Sequence, residues 1–305
     1  MAKEWPSSVF ANKKDLIDLK KKANAFKLKK NKIPVLSGTG EHLSPFKTKG
    51  LDFQEVRIYQ PGDDIRLIDW RITAKHNKPY TKLFTDEKER QVFLFIDMQQ
   101  SMKFATQGEF KSVIAAKTGA LLSFLGINHH DNLGFTVLSD DKLECAFSGS
   151  NSETLTSLLE ALEESGNPIY TKESTIPFNQ AFLKMEKLIK KGALVFILSD
   201  FLHIDDETKK IITRLSKKTT LALLHIYDKI EKEFPHQLLS VTNGEKILFL
   251  NGKQKSFQKK YQSLFKKRTE ELIELTKNPN IGYLPLSTEE EYLLKVASFC
   301  QGGLL

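Results

Sequence analysis

Cysteine is scarce: the 305-residue chain carries two, Cys145 and Cys300. Neither sits at metal or redox spacing, so the expectation is a reduced, cytoplasmic protein. Long apolar runs are missing. None approaches the roughly 20 residues a membrane helix needs, and the opening MAKEWPSSVFA has no apolar core for a signal peptide. No Gly-x-x-x-x-Gly-Lys occurs, so no phosphate-cradling loop is expected. No Gly-x-Ser-x-Gly elbow occurs, and no histidine is tied by local sequence to a serine. The seven histidines are scattered. His129-His130 reads as an exposed pair between a helix and a strand. No internal repeat and no low-complexity tract is present, and no linker is long or polar enough to mark a firm boundary.

What remains is ordinary globular composition, 40% hydrophobic and 28% charged. The length suits one large α/β domain with an appendage, or two domains. The formal charge is +8 and the pI about 9.2. That balance permits nucleic acid, an anionic membrane face or acidic proteins as partners. The excess is lysine-rich, and plain surface solvation accounts for it equally.

Two stretches organise the chain. Residues 92–96, VFLFI, are apolar without alternation, as in a strand covered on both faces. Asp97 ends them. Residues 193–198, ALVFIL, repeat the pattern and lead into Ser199 and Asp200. Open α/β sheets keep their ligand sites at the carboxyl ends of such strands. Two carboxylates are therefore expected at one rim.

The rest alternates between helix and strand signals, as in a doubly wound sheet. Leu16, Leu19, Ala23 and Phe26 recur at helical spacing within the basic residues 11–32. That helix either packs on the domain with solvated lysines or offers a surface to lipid or nucleic acid. Helices are predicted over 109–127, 155–162, 178–189 and 204–215. Strands are predicted over 133–138, 143–147 (an edge strand), 221–226 and 281–284. Residues 228–252 break the alternation. Asn243-Gly244 between two apolar runs is a type I′ hairpin signal, read as an insertion on the sheet's flank. Residues 253–277 form a long helix whose first half carries seven basic residues and no acid, expected to be a solvated face. Ser287 and Glu290 fit a capping box for a final helix.

Residues 50–84 are the most distinctive. Pro61-Gly62 is a turn signal. Around it Arg57, Arg66 and Arg71 alternate with Asp63, Asp64 and Asp69, which predicts an ion network, because arginine forks pair bidentately with carboxylates. Trp70 is expected to anchor it in the core. The block is read either as a purely structural network or as a partner-docking surface.

The pattern GLDF-EVR-Y-PGDD-R-IDWR, then YTK-F, an acidic run and an apolar strand ending in aspartate, resembles a bacterial domain-of-unknown-function family, number fifty-eight. The likeness runs from about Gly38 to the C-terminus, and its strongest block is residues 50–97. It implies a von Willebrand factor A-like fold: an α/β, mostly parallel, doubly wound sheet with helices on both faces. The domains implied are a basic helix and linker at 1–37, a family-specific region at 38–88, and the von Willebrand A-like domain at 89–305 with its hairpin insertion. It also implies a MoxR-type AAA+ ATPase as partner, and no established enzymatic activity.

That fold commonly carries a metal-ion-dependent adhesion site, with an Asp-x-Ser-x-Ser loop, a threonine and a second aspartate. Magnesium takes small oxygen ligands near octahedral geometry. Here Asp97 and Ser101 match, Gln99 replaces the first serine, and Asp200 fits the second aspartate. Thr175 is the chosen threonine, with Thr171 and Ser174 as alternatives. The longer glutamine predicts magnesium binding that is weak or lost.

The functional expectation is a non-enzymatic protein–protein interaction module that helps a MoxR-type ATPase act on a client protein. The competing readings are nucleic-acid or anionic-surface binding through the basic helices, and a metal-dependent hydrolase using Asp97 and Asp200. No recognised nucleic-acid motif supports the first, and no base supports the second.

Overall fold

The computed structural model describes all residues except 1–4, 27–50, 62, 77, 87–89, 148–149, 168–175, 243–246 and 303–305. The chain divides into two compact units, one comprising residues 1–36 and 90–305, the other residues 37–89.

In the larger unit, α1 (Lys13–Ala25) opens on Asn12, whose side chain accepts from Asp15 N. In the smaller, β1 (Leu51–Ile58) pairs antiparallel with β2 (Tyr80–Asp86), with a register shift between Phe53 and Glu55. Between them lies α2 (Trp70–His76).

The chain then builds a six-stranded sheet. Its elements in order are β3 (Gln91–Asp97), α3 (Lys111–Asn128), β4 (Asn132–Leu138), β5 (Leu143–Phe147), α4 (Asn151–Ser165), α5 (Phe178–Leu188), β6 (Leu194–Ser199), α6 (Asp206–Leu215), β7 (Thr220–Tyr227) and α7 (Lys229–Lys232). A second hairpin follows, β8 (Leu238–Thr242) and β9 (Ile247–Asn251), then α8 (Lys255–Leu275), β10 (Ile281–Ser287) and α9 (Tyr292–Gly302). The strand order is β10-β7-β6-β3-β4-β5. All neighbours are parallel except β4 and β5. The short β5 sits at the edge, as its sequence predicts.

The unbroken apolar run of β3 is explained by two cores. Successive strand side chains point to opposite faces. Leu94 and Ile96 pack with residues of α1, α3 and α4 on one face. Phe93 and Phe95 pack with α5 and α6 on the other. The Phe95 ring lies 4.4 Å from that of Phe182, centroid to centroid. Each fully buried side chain of this size contributes about 1.5–3 kcal/mol. The helix α3 lies against the sheet along its length. Gly119 permits this, since a Cβ there would stand 2.5 Å from Ile96 Cδ1.

α1 packs on α3 and α4. Leu16, Leu19 and Ala23 are buried in their shared core, and Lys13 Nζ reaches Glu160 at 2.7 Å. Asp205 caps α6, its side chain accepting from Thr208 N.

One local expectation fails, and another cannot be followed to its turn. The second hairpin pairs antiparallel up to Thr242 opposite Ile247. Asn243-Gly244 itself lies outside the described residues. Ser287 ends β10, and α9 begins only at Tyr292. The Ser287 hydroxyl accepts from Glu289 N at 3.4 Å, closing a turn and not a helix cap.

Candidate functional site

The parallel pairing of β3 and β6 brings their carboxyl ends side by side, Ile96 opposite Leu198. Asp97 ends β3 and Asp200 directly follows β6. Both are buried. Asp97 Oδ2 accepts from the Ser199 hydroxyl at 2.6 Å, and Oδ1 from Gln99 N at 3.1 Å. Gln99 is buried on the loop after β3, and Ser101 stands beside Asp200. Asp97, Gln99, Ser101 and Asp200 are thus gathered at one rim. Thr175, Thr171 and Ser174 lie outside the described residues. Among the described residues, no three His, Cys, Asp or Glu side chains are grouped to hold a metal ion.

The chain after Asp200 turns sharply. Phe201 adopts φ 52°, a left-handed conformation rare for a bulky residue, and its ring is buried. Leu202 N then donates to Asp200 Oδ1 at 3.0 Å. The other oxygen, Oδ2, meets a cation: Lys111 Nζ at 2.8 Å. Lys111 is the first residue of α3, and its side chain is 4% exposed. The same ammonium lies 2.6 Å from Glu231 Oε1 on α7. Arg268 of α8 completes the cluster. Its guanidinium donates to the Asp200 carbonyl oxygen at 3.1 Å and lies 3.3 Å from Glu231 Oε2.

The electrostatics follow from burial and these pairs. Burial, and then the adjacent Asp200 charge, push the Asp97 carboxyl well above the usual carboxylate range. Burial acts the same way on Asp200, but the Lys111 ammonium outweighs it and holds Asp200 low. Burial pulls Lys111 down, and Asp200 and Glu231 outweigh it and raise it. Beside them His225 of β7 is buried, its Nδ1 bonded to the Tyr283 hydroxyl at 2.8 Å. Asp200, Lys111, Glu231 and Arg268 each face an opposite charge. Among the described residues no hydrogen bond links Ser101 to a histidine.

Lys111, Glu231 and Arg268 escape sequence reasoning. Arg268 is counted there with a solvated basic face, whereas its side chain is 15% exposed. One signal was available. Asp228 and Glu231 have capping-box spacing, and both reciprocal bonds form at α7. That cap fixes Glu231 on the rim. Other lysines of α8 do face solvent: Lys266 and Lys267 are exposed, each within 4.0 Å of a glutamate one turn on.

In the smaller unit the predicted ion network forms only in part. Arg57 pairs with Asp63 at 2.7 Å. The backbone N–H of Gln60, then the Arg57 guanidinium, hold Asp63 below its usual range. Asp64 instead caps a short 3₁₀ turn, accepting from Arg66 N. Asp69 accepts from Arg71 N and Ile72 N and pairs with Lys82 at 3.3 Å. The side chains of Arg66 and Arg71 are exposed. Trp70 is no core anchor: it is 68% exposed, with Ile58, Ile65 and Leu67 also exposed. The physical reason is its place at the start of α2, a seven-residue helix with no buried residue of its own. Gly62 lies outside the described residues.

The family described as "Protein of unknown function DUF58" matches residues 55–271. The curated "Uncharacterized protein Mb1516" of Mycobacterium bovis is 34% identical over 95 residues, 31% of this chain and 30% of that protein. "Uncharacterized protein Rv1480" of Mycobacterium tuberculosis matches to the same extent. The chain thus spans about a third of the length of the relatives it matches. Among solved structures, the conserved hypothetical protein BatB of Bacteroides thetaiotaomicron has a TM-score of 0.41 at 12% identity, over 68% of this chain and 96% of that one. An uncharacterized membrane spanning protein of Vibrio fischeri has a TM-score of 0.23 at 12% identity over the same shares. At those scores neither likeness defines this fold. Among the described residues no helix is long and apolar enough to cross a membrane.

Proposed function

Because the chain belongs to the DUF58 family, whose description assigns no activity, we propose that it acts by binding other proteins and not by catalysis. One observation carries this reading: Trp70 is 68% exposed and has exposed Ile65, Leu67, Arg66 and Arg71 as close sequence neighbours. Tryptophan and arginine dominate the energetic centres of protein interfaces. Exposed apolar residues grouped within a polar surround mark interaction sites on soluble proteins. The rim cluster supports the reading from the other side, since Asp200 and Glu231 are committed to internal cations and both oxygens of Asp97 accept hydrogen bonds.

The partner we propose is a MoxR-type AAA+ ATPase, and the further target is a client of that ATPase, as the family resemblance implies. The sheet unit is proposed to be of von Willebrand A type, with residues 228–252 as its insertion. Its single antiparallel edge strand and its carboxylates at the strand ends support this. The proposed location is the cytoplasm, consistent with two free thiols.

Affinity capture from the host with the tagged full chain, with and without ATP, tests the proposal. The expected result is recovery of an AAA+ ATPase, lost with Trp70→Ala combined with Arg71→Ala. Recovery of no such ATPase, or equal recovery by the double variant, refutes it.

A further inference from the structure

The rim that the family resemblance marks as a magnesium site already contains a cation. We propose that the Lys111 ammonium is a resident substitute for a divalent metal, and that the carboxylate rim is therefore metal-independent. The inference concerns the chain alone and stands apart from the proposed partner.

Three observations carry it. The first is occupancy of the donor atoms. Asp200 Oδ2 is bound by Lys111 Nζ at 2.8 Å and Oδ1 by Leu202 N at 3.0 Å. Both oxygens of Asp97 accept hydrogen bonds, from Gln99 N and from the Ser199 hydroxyl. Magnesium demands oxygen ligands at about 2.0–2.1 Å in near-octahedral array. Each of those oxygens already has one acceptor site engaged, and the ammonium on Asp200 Oδ2 repels a second cation at that oxygen.

The second is charge balance. Lys111 and Arg268 stand against Asp200 and Glu231. The buried Lys111 ammonium and the half-buried Arg268 guanidinium already answer two carboxylates. Asp97 adds one more carboxylate to the rim, so a dication placed beside Asp200 would still leave net positive charge next to an ammonium that is 4% exposed. Buried charge without a partner is strongly disfavoured.

The third is a broken local rule. Lys111 is the first residue of α3, a helix with no side-chain cap and no acid in its first turn. A lysine there opposes the helix dipole. The sequence accepts that local cost where the side chain reaches two carboxylates contributed by other elements. Local conflicts of this kind concentrate at sites with a specific task. The task here is to clasp the end of β6, α3, α7 and α8 together without a metal. The Gln99 replacement then follows naturally, since no serine hydroxyl is needed for a metal ion at that position.

The test is calorimetric titration of magnesium and manganese into the chelator-stripped full chain, and into Asp97→Asn, Lys111→Met, Lys111→Arg and Lys111→Met/Asp200→Asn. The unaltered chain is expected to show no saturable binding up to millimolar metal. Lys111→Arg keeps the charge and is expected to match it. Lys111→Met frees the Asp200 carboxylate and is expected to gain saturable manganese binding, which the added Asp200→Asn removes. Saturable magnesium binding by the unaltered chain, lost with Asp97→Asn, overturns the proposal. So does a folded Lys111→Met chain that gains no binding. The titration of the unaltered chain decides the matter even where a variant does not fold. A negative affinity capture leaves it untouched.

Discussion

Acid should unfold this protein partly through one residue, His225. The side chain is fully buried among the rings of Phe201, Tyr227, Phe265 and Tyr283. Burial, then the facing Arg268 charge, depress its pKa from 6.5 to about 3, while Asp200 pulls the other way and Lys111 adds to the depression. In the unfolded chain the imidazole takes its proton near pH 6.5. In the folded chain it stays neutral down to about 3. The unfolded state therefore binds more protons across that window. Stability from this group is fully present above pH 6.5 and is lost as pH falls towards 3. Each pH unit carries about 1.4 kcal/mol, so the full loss is roughly 4–5 kcal/mol. That is a large share of the 5–15 kcal/mol typical of a domain. The assay is urea denaturation from pH 7 to pH 4 on the native chain and on His225→Phe, which keeps an aromatic ring but cannot titrate. The stability gap between the two should move by about 1 kcal/mol or more per pH unit below 6, in favour of the variant. Parallel curves would refute the assignment of a neutral, buried imidazole.

Other outcomes follow from single contacts. Gly108 has φ 75°, and a Cβ there would stand 2.0 Å from the Thr288 carbonyl oxygen. Gly108→Ala should thus destabilise by about 2 kcal/mol or more, read as a lowered urea midpoint, since left-handed strain alone costs roughly 1–2. Phe182→Ala empties a fully buried site against Phe95 and Phe178 and should cost about 3–5 kcal/mol by the same measurement. Trp70→Ala should leave stability within about 0.5 kcal/mol while weakening capture of the partner. A large stability loss would instead make Trp70 structural.

The sheet is legible because its signals are local and strong. The runs 92–96 and 193–198 are apolar at every position, which only two covered faces explain, and each delivers its aspartate to the same rim. The helices over 151–165 and 178–188 show through leucines and phenylalanines at helical spacing. The ion cluster is not legible, because its members meet only through topology. Lys111 and Glu231 are 120 residues apart, and Lys111 and Asp200 are 89 apart. A lysine beside an apolar helix and an arginine in a basic run look like solvated surface until the fold turns them inward. Trp70 misleads in the opposite sense. Its size argues for the core, but a seven-residue helix on a two-stranded sheet offers little interior to enter.

The placement of α1 bears on how the chain can be cut. Residues 37–89 separate α1 in sequence from the helices it packs on, yet Leu16, Leu19 and Ala23 are buried against α3 and α4. Seating α1 closes a long loop, whose entropic cost grows only slowly with its length. A single proteolytic nick within residues 37–89 would leave the sheet-bearing piece with a groove and the other piece with the helix that fills it. The two fragments hold complementary halves of one apolar core. They should be able to reassemble without a covalent link, with a strength set by their concentration and by the three buried side chains of α1.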